Sequence, residues 1–347
     1  LPALKSALDL ERFVLPPPNV LSNERLAMHL SGGETFSFPG AQRLDSGRPV
    51  ILVATPYVPF PLSHGGALRM FNLMRRAARD FDHVLVSFCD EPFTPAPEIL
   101  DICREIVLVR RKGSHLRPMT ERPEVVEEHD TPPFRAVLKE MIRKHSPALA
   151  QLEFTQMGLY APDCDPLPSL LVEHDITIDL YTQLLEVRQD WETAQQLDRW
   201  RTFEQSAWRT VNCVIAMSEK DSHMVSGARR VETLANGVDL ERFKPGRREP
   251  ESRRILFIGS FAHLPNILAL QFFLESAWTP LREAGATLHI IAGSRPEHFL
   301  EIHQHRVTLE LSQPGIEVEA FVSDVRPAYE RAAVVIAPLL ASAGTNI

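Results

Sequence analysis

The sequence predicts an α/β protein built from doubly wound parallel sheets, and three observations carry that prediction. Segments such as Val50–Ala54, Ser169–Val172 and Arg254–Ile258 are apolar without alternation, as strands covered on both faces must be. Segments with apolar residues at helical spacing separate them, and alternating strands and helices imply parallel sheets with helices on both faces. The stretch Val231–Trp278 then passes from a turn at Asn236-Gly237, through a polar linker over Lys244–Arg254, into a buried strand, a turn at Gly259 and a helix opened by Pro265. A second domain starts there, giving expected divisions of 1–47, 48–240 and 241–347.

The 347 residues fit about two domains. With 44% hydrophobic and 24% charged residues the chain can bury two cores. A net charge of -8 argues against broad nucleic-acid binding. The four cysteines, Cys89, Cys103, Cys164 and Cys213, show no metal spacing and are expected as reduced thiols in a cytosolic protein. No apolar run reaches the length of a membrane span.

Residues 1–47 read as a loop-rich arm or the tail of an upstream module, with a short helix around Leu4–Phe13 and no chemistry. From Val50 a strand, a long loop, a helix and a second strand follow, and Leu68, Phe71, Leu73, Met74 and Ala77 form the expected buried stripe of that helix. Gly65-Gly66 opens it. On the residues alone the pair is read as a packing device, with close approach of a ligand as the alternative. Arg110, Arg111 and Lys112 read as a solvated strand end, Pro118–Pro133 as a surface loop, and Phe134–His145 as a helix.

Ser169–Val172 leads into Glu173-His174-Asp175, which places His174 beyond the carboxyl end of a strand, where ligands of doubly wound sheets bind. A single histidine there is also read as a hydrogen-bonded structural group. A metal is not expected, because neighbouring residues of a strand alternate faces and the three side chains do not converge. The helix Trp191–Arg209 carries Trp200, Phe203, Glu204 and Trp208 at helical spacing, read as core. Val211–Met217 is a strand, Ser218 caps the next helix, and Val231–Leu234 ends the first domain. Leu288–Ala292, the turn at Gly293, a helix from Pro296, an edge-like Ile316–Ala320, a helix over Arg326–Ala332 and a buried strand Val334–Pro338 complete the second.

In order and spacing, TPYVPFPLSHGGALR, LLVEHD, FEQSAWR leading to VIAMSEKD, LANGVDLERF, ILFIGSFAHLPNILALQFF, IEVEAFVSDVRPAYERAAVVIAPL and SAGTN resemble the retaining, nucleotide-sugar-dependent glycosyltransferases of family 4. The resemblance covers about residues 50–347 and implies the GT-B fold, two Rossmann-like domains facing across a cleft. It implies that Gly65 and Gly66 approach a donor diphosphate, that the catalytic His174 sits beside the donor sugar, and that Gly259, Ser260 and Phe261 face the diphosphate. Phe321 and Val322 would hold the nucleobase, while Gly344, Thr345 and Asn346 would begin the donor-site helix. Ser260 and Pro265 stand where many members carry a basic residue and a lysine, and Ala343 where many carry a glutamate. This is similar to a subgroup with a G-T-x-x-K donor motif, whose lysine and glutamate would lie past Ile347.

The implied activity is transfer of a hexose, with retention and without a metal or other cofactor, to a glycan or lipid-linked cell-envelope acceptor. A cytoplasmic place with peripheral contact at the inner face of the membrane goes with it, and no nucleic acid. The alternative is a non-catalytic nucleotide-sugar or glycan-binding domain of a larger protein. A chain without an initial Met that stops just after Asn346 is expected to be a piece of a longer one. Alone it should have little transferase activity and should expose apolar surface around Val334–Ala337.

Overall fold

The computed structural model describes residues 35–340 apart from 44–45, 63–64, 112–120, 241–242, 245–249 and 305–306. The expected helix over Leu4–Phe13, the middle of the 244–254 linker, Lys112 and Gly344–Asn346 lie outside the described residues. By compactness the chain divides into residues 1–62, 66–120 and 124–171 on one side and 63–65, 121–123 and 172–347 on the other.

Twelve described strands form two sheets. The first holds β1 Thr35–Pro39, β2 Val50–Thr55, β3 Asp82–Cys89, β4 Glu105–Arg110, β5 Leu149–Glu153, β6 Ser169–Glu173, β7 Cys213–Ala216 and β8 Val231–Thr233, in the order β1-β4-β3-β2-β5-β6-β7-β8. The second holds β9 Arg254–Ile258, β10 Thr287–Ile291, β11 Ile316–Glu319 and β12 Val334–Ile336, in the order β11-β10-β9-β12. Helices α1 Gly65–Ala77, α2 Pro97–Leu100, α3 Glu124–His129, α4 Pro132–His145, α5 Thr177–Arg188, α6 Trp191–Thr210 and α7 Glu219–Met224 connect the first set of strands. Helices α8 Leu264–Phe273, α9 Thr279–Glu283, α10 Pro296–His303 and α11 Arg326–Arg331 connect the second. Every residue of β2 and β3 is buried, which fits the apolar run of β2, while β3 also buries Asp82, His83 and Ser87.

The structure corrects several expectations. Residues 35–39, read as part of a loop-rich arm, are a strand antiparallel to β4, with Phe36 and Phe38 turned to the core and Thr35 and Ser37 away from it. Five residues of alternation are too few to stand out. Part of the expected loop Pro118–Pro133 is helix α3, whose His129 packs edge-on to Phe88 at 5.1 Å. Burial pushes the His129 imidazole down to about 4.

The buried face of α1 is Ala67, Arg69, Met70, Phe71 and Met74, whereas Leu68, Leu73 and Ala77 are only half-buried. The helix expected to run to Trp278 is α8, then a wide π turn over Leu274–Trp278, then α9. Pro280 brings no N–H to the turn behind it, so the ladder widens before it. The strand Val334–Pro338, expected buried, is a three-residue edge strand with Val334 54% and Val335 49% exposed, since no described element covers them. The apolar surface expected at this place is therefore present.

The four thiols are free and buried, and burial pushes Cys89 and Cys164 up to about 12. Among the described residues no helix is long and apolar enough to cross a membrane.

At the amino end of β3 the Asp82 side chain, 0% exposed, receives Arg48 Nε at 2.8 Å and Arg104 Nε at 2.7 Å, with Ser46 also donating to it. Burial would raise the Asp82 carboxyl, but Ser46, Arg104 and Arg48 together hold it below the ordinary value. Its contribution is therefore fully present above the unfolded carboxyl's pKa and lost as pH falls through the lower folded one. We expect Asp82→Asn to cost about 3 kcal/mol, the low end for breaking a buried pair because Arg48 keeps partial contact with water. Urea melts of both proteins at neutral and acid pH check this, the difference between them shrinking in acid.

Candidate functional site

Strand order places the candidate sites. β2 is the first strand of the parallel series and pairs with β3 on one side and β5 on the other, so successive connections leave it in opposite directions. Ligands of open α/β sheets bind in the crevice that such a switch point opens beyond the carboxyl ends. Past the last registered pair of β2 and β5, Ala54 with Leu152, stand Thr55 and Glu153. Thr55 Oγ1 is buried without a hydrogen-bond partner among the described residues. Gly65 and Gly66 open α1 there as the sequence predicts, and α1 has no acid in its first turn to offset the positive end of its dipole.

Sequence reasoning missed the buried charges behind this helix. Burial pulls the Arg69 guanidinium below its ordinary value, and Glu153, itself buried at the end of β5, offsets part of that. Gln151 donates to Glu153. The next residue, Phe154, has φ 74 and ψ 146, a backbone region nearly reserved for glycine, and its ring lies 5.4 Å from that of Tyr57. An arginine on a face otherwise apolar was the sequence signal for this cluster.

β9 repeats the arrangement in the second sheet, pairing in parallel with β10 and β12 on its two sides. Gly259 follows it, and a Cβ there would meet Asn266 Cγ at 2.9 Å and Phe257 Cζ at 3.0 Å. Gly259 N–H donates to Ile291 O at 3.0 Å and Phe261 N–H to Ala292 O at 2.9 Å, while the Phe261 ring is buried in the core. Of the three sequence-predicted residues only Ser260 is exposed, and Phe261 anchors the loop. Asn266 Nδ2 donates to Ser260 O at 3.0 Å, fixing the loop to the first turn of α8, which also lacks an acid. Gly293, at φ +78, leaves the space that Ser260 fills, since a Cβ would lie 2.8 Å from Ser260 Oγ. Phe321, 51% exposed, and the half-buried Val322 follow β11, with Val322 packed against Leu256 and Ile291.

His174 is buried at the end of β6, where the sequence places it. Next to it Asp175 reaches the surface, yet its carboxyl is crowded by protein. Desolvation and the like charge of Asp221 push it up to about 6, against the opposing pull of His174. Asp221 in turn accepts Ser218 Oγ–H at 2.7 Å, and Ser218 caps α7 as expected. Among the described residues no three metal-ligating side chains converge.

The two sheets and their connections define an α/β protein of GT-B fold, and comparison with known proteins agrees. Residues 252–347 match the family described as "Glycosyl transferases group 1". No curated protein matches the chain by sequence. Among solved structures it is similar to a sucrose-phosphate synthase from Thermosynechococcus elongatus, with a TM-score of 0.61 at 17% identity over 84% of this chain and 76% of that one. It is also similar to an α,α-trehalose-phosphate synthase (UDP-forming) from Burkholderia xenovorans in complex with glucose-6-phosphate, with a TM-score of 0.52 at 12% identity, covering 87% of this chain and 81% of that one. The catalytic domain of starch synthase IV from Arabidopsis thaliana, bound to ADP and acarbose, gives 0.51 at 8% identity, covering 84% and 78%. At such identities the likeness is one of fold.

If the glycine pair admits a diphosphate, Gly66→Leu should weaken binding of a nucleoside diphosphate about tenfold, near 1.4 kcal/mol, with the thermal midpoint unchanged. Calorimetric titration of both proteins measures it, and equal affinities would remove Gly65 and Gly66 from the site.

Proposed function

We propose that this chain carries the donor-binding and catalytic groups of a retaining glycosyltransferase of family 4. The protein that contains it moves a hexose from a nucleotide-diphosphate sugar to a glycan or lipid-linked cell-envelope acceptor. The observation that carries the reading is the match of residues 252–347, a span containing β9, the Gly259 loop, α8 and β11, within a chain of GT-B fold. Two similar structures point the same way for the partner: one contains ADP, and the other is a UDP-forming synthase holding a sugar phosphate.

In this reading residues 48–240 form the acceptor-side domain and 241–347 the nucleotide-sugar domain. The amides at Gly65 and Gly66 and the loop at Gly259 and Ser260 receive the diphosphate, each at the positive end of a helix. Phe321 and Val322 hold the nucleobase through their backbone, Gly344, Thr345 and Asn346 begin the donor-site helix, and His174 contacts the sugar. The acceptor oxygen attacks the anomeric carbon on the face from which the diphosphate leaves. As the new C–O bond forms and the bond to the diphosphate breaks, the acceptor proton passes to a departing phosphate oxygen. Helix N-termini and cationic side chains stabilise the leaving charge, so the reaction proceeds without a metal. The enzyme works in the cytoplasm, in peripheral contact with the membrane where its acceptor is lipid-linked.

His174→Ala should lower turnover about a hundredfold while nucleoside diphosphate affinity stays within about twofold, because a sugar contact acts on the transition state. Product analysis over a panel of nucleotide sugars, beside calorimetry, reads both quantities. A parallel loss of thermal stability and activity would instead make His174 a structural group.

A further inference from the structure

One helix holds both ends of the loop that carries His174. β6 ends at Glu173 and α5 begins at Thr177, so His174 lies in a short connection between two fixed points. At the first point Trp208 Nε1–H donates to Glu173 Oε1 at 2.6 Å. At the second, the two carboxyl oxygens of Glu204 accept the N–H groups of Thr177 at 2.8 Å and Ile178 at 2.9 Å. Glu204 and Trp208 are four residues apart on α6, hence on one face, and both are buried, Glu204 completely.

The capping is needed because α5 cannot cap itself. Its N-cap position is Ile176, which offers no side-chain acceptor, and the first N–H groups of a helix have no partner within it. Glu204 fills the place that an anion would otherwise take at this helix end, and Asp179 in the first turn, paired with Lys220 at 2.6 Å, adds a second carboxyl there. The first N–H groups of α5 are thus satisfied from within the protein.

We propose that Glu204 and Trp208 are positioning residues for His174, setting the place and orientation of its imidazole by clamping Glu173 and the first turn of α5. The proposal rests on the reading of His174 as the sugar contact. A brace built from two short hydrogen-bonded anchors limits how far the ring travels, and a displacement of about 1 Å at a reacting group is enough to cost on the order of a hundredfold in rate.

The test uses Glu204→Gln, which keeps the volume but turns an amide N–H₂ toward an N–H donor, and Trp208→Phe, which keeps a ring but loses the donor. The first measurement is the imidazole ¹H–¹⁵N spectrum of the protein without ligand, with the His174 signals assigned by their loss in His174→Ala. Glu204→Gln should shift or broaden those signals, and unchanged signals in a folded variant would overturn the brace. The second measurement is turnover over the nucleotide-sugar panel. Each variant should fall about tenfold at unchanged nucleoside diphosphate affinity, and neither should lose anything further when combined with His174→Ala. Losses that multiply in the double variants would assign Glu204 and Trp208 a general structural role instead. If His174→Ala alone leaves turnover intact, the reading of His174 fails and the catalytic purpose of the brace fails with it. A fall for His174→Ala without one for either anchor variant would sink the brace alone.

Discussion

Parallel pairing on both sides of β2 and of β9 is the constraint from which the rest of the architecture follows. A strand so placed is covered on both faces, so it is mostly apolar, with its polar residues Thr55 and Arg254 at strand ends, and its partners are reached only by crossover connections. Because the connected strands lie on opposite sides, the strand's carboxyl end is a topological switch point. In each sheet that end is followed by glycine and a helix without an acid in its first turn. Backbone amides and helix dipoles are therefore presented where the topology leaves room for a ligand.

The distribution of charge follows the same division. At the amino end of β3 a buried aspartate is saturated by two arginines and a serine, an arrangement that holds the sheet together and leaves nothing for a ligand. At the carboxyl ends the buried polar groups include Thr55 at the end of β2, Arg69 on α1, Glu153 before the strained backbone of Phe154, and Glu173 and His174 at the end of β6. Strain and buried charge both lower stability, and a fold retains them only where neighbouring structure over-determines them. The brace from α6 to both ends of the His174 loop is one such device.

Much of this was legible in the residues. Buried parallel strands announce themselves as unbroken apolar runs, so β2, β6, β9 and β10 fall where the sequence puts them, and Ser218 caps α7 because a serine before an acidic turn has a local physical meaning. Features set by partners distant in sequence were not legible. α5 lacks a local start signal because its cap is Glu204, 27 residues away from Thr177. The electrostatic influence of Glu153 on Arg69 is created by the order of strands, and Glu204 and Trp208, read as core aromatics and their neighbours, turn out to reach a loop on another element.

The central proposal is that the glycine-led helix starts at Gly65-Gly66 and at Gly259 bind the diphosphate of a nucleotide-sugar donor. Its most direct measurement is a titration of the isotope-labelled protein with UDP, ADP and GDP, followed at individual backbone amides. The account predicts saturable shifts for at least one of them, concentrated at Gly65, Gly66, Ser260 and Val322, with the amides of Asp82 and Arg104 unmoved. No saturable binding of any nucleoside diphosphate, or shifts confined to residues away from both loops, would contradict it.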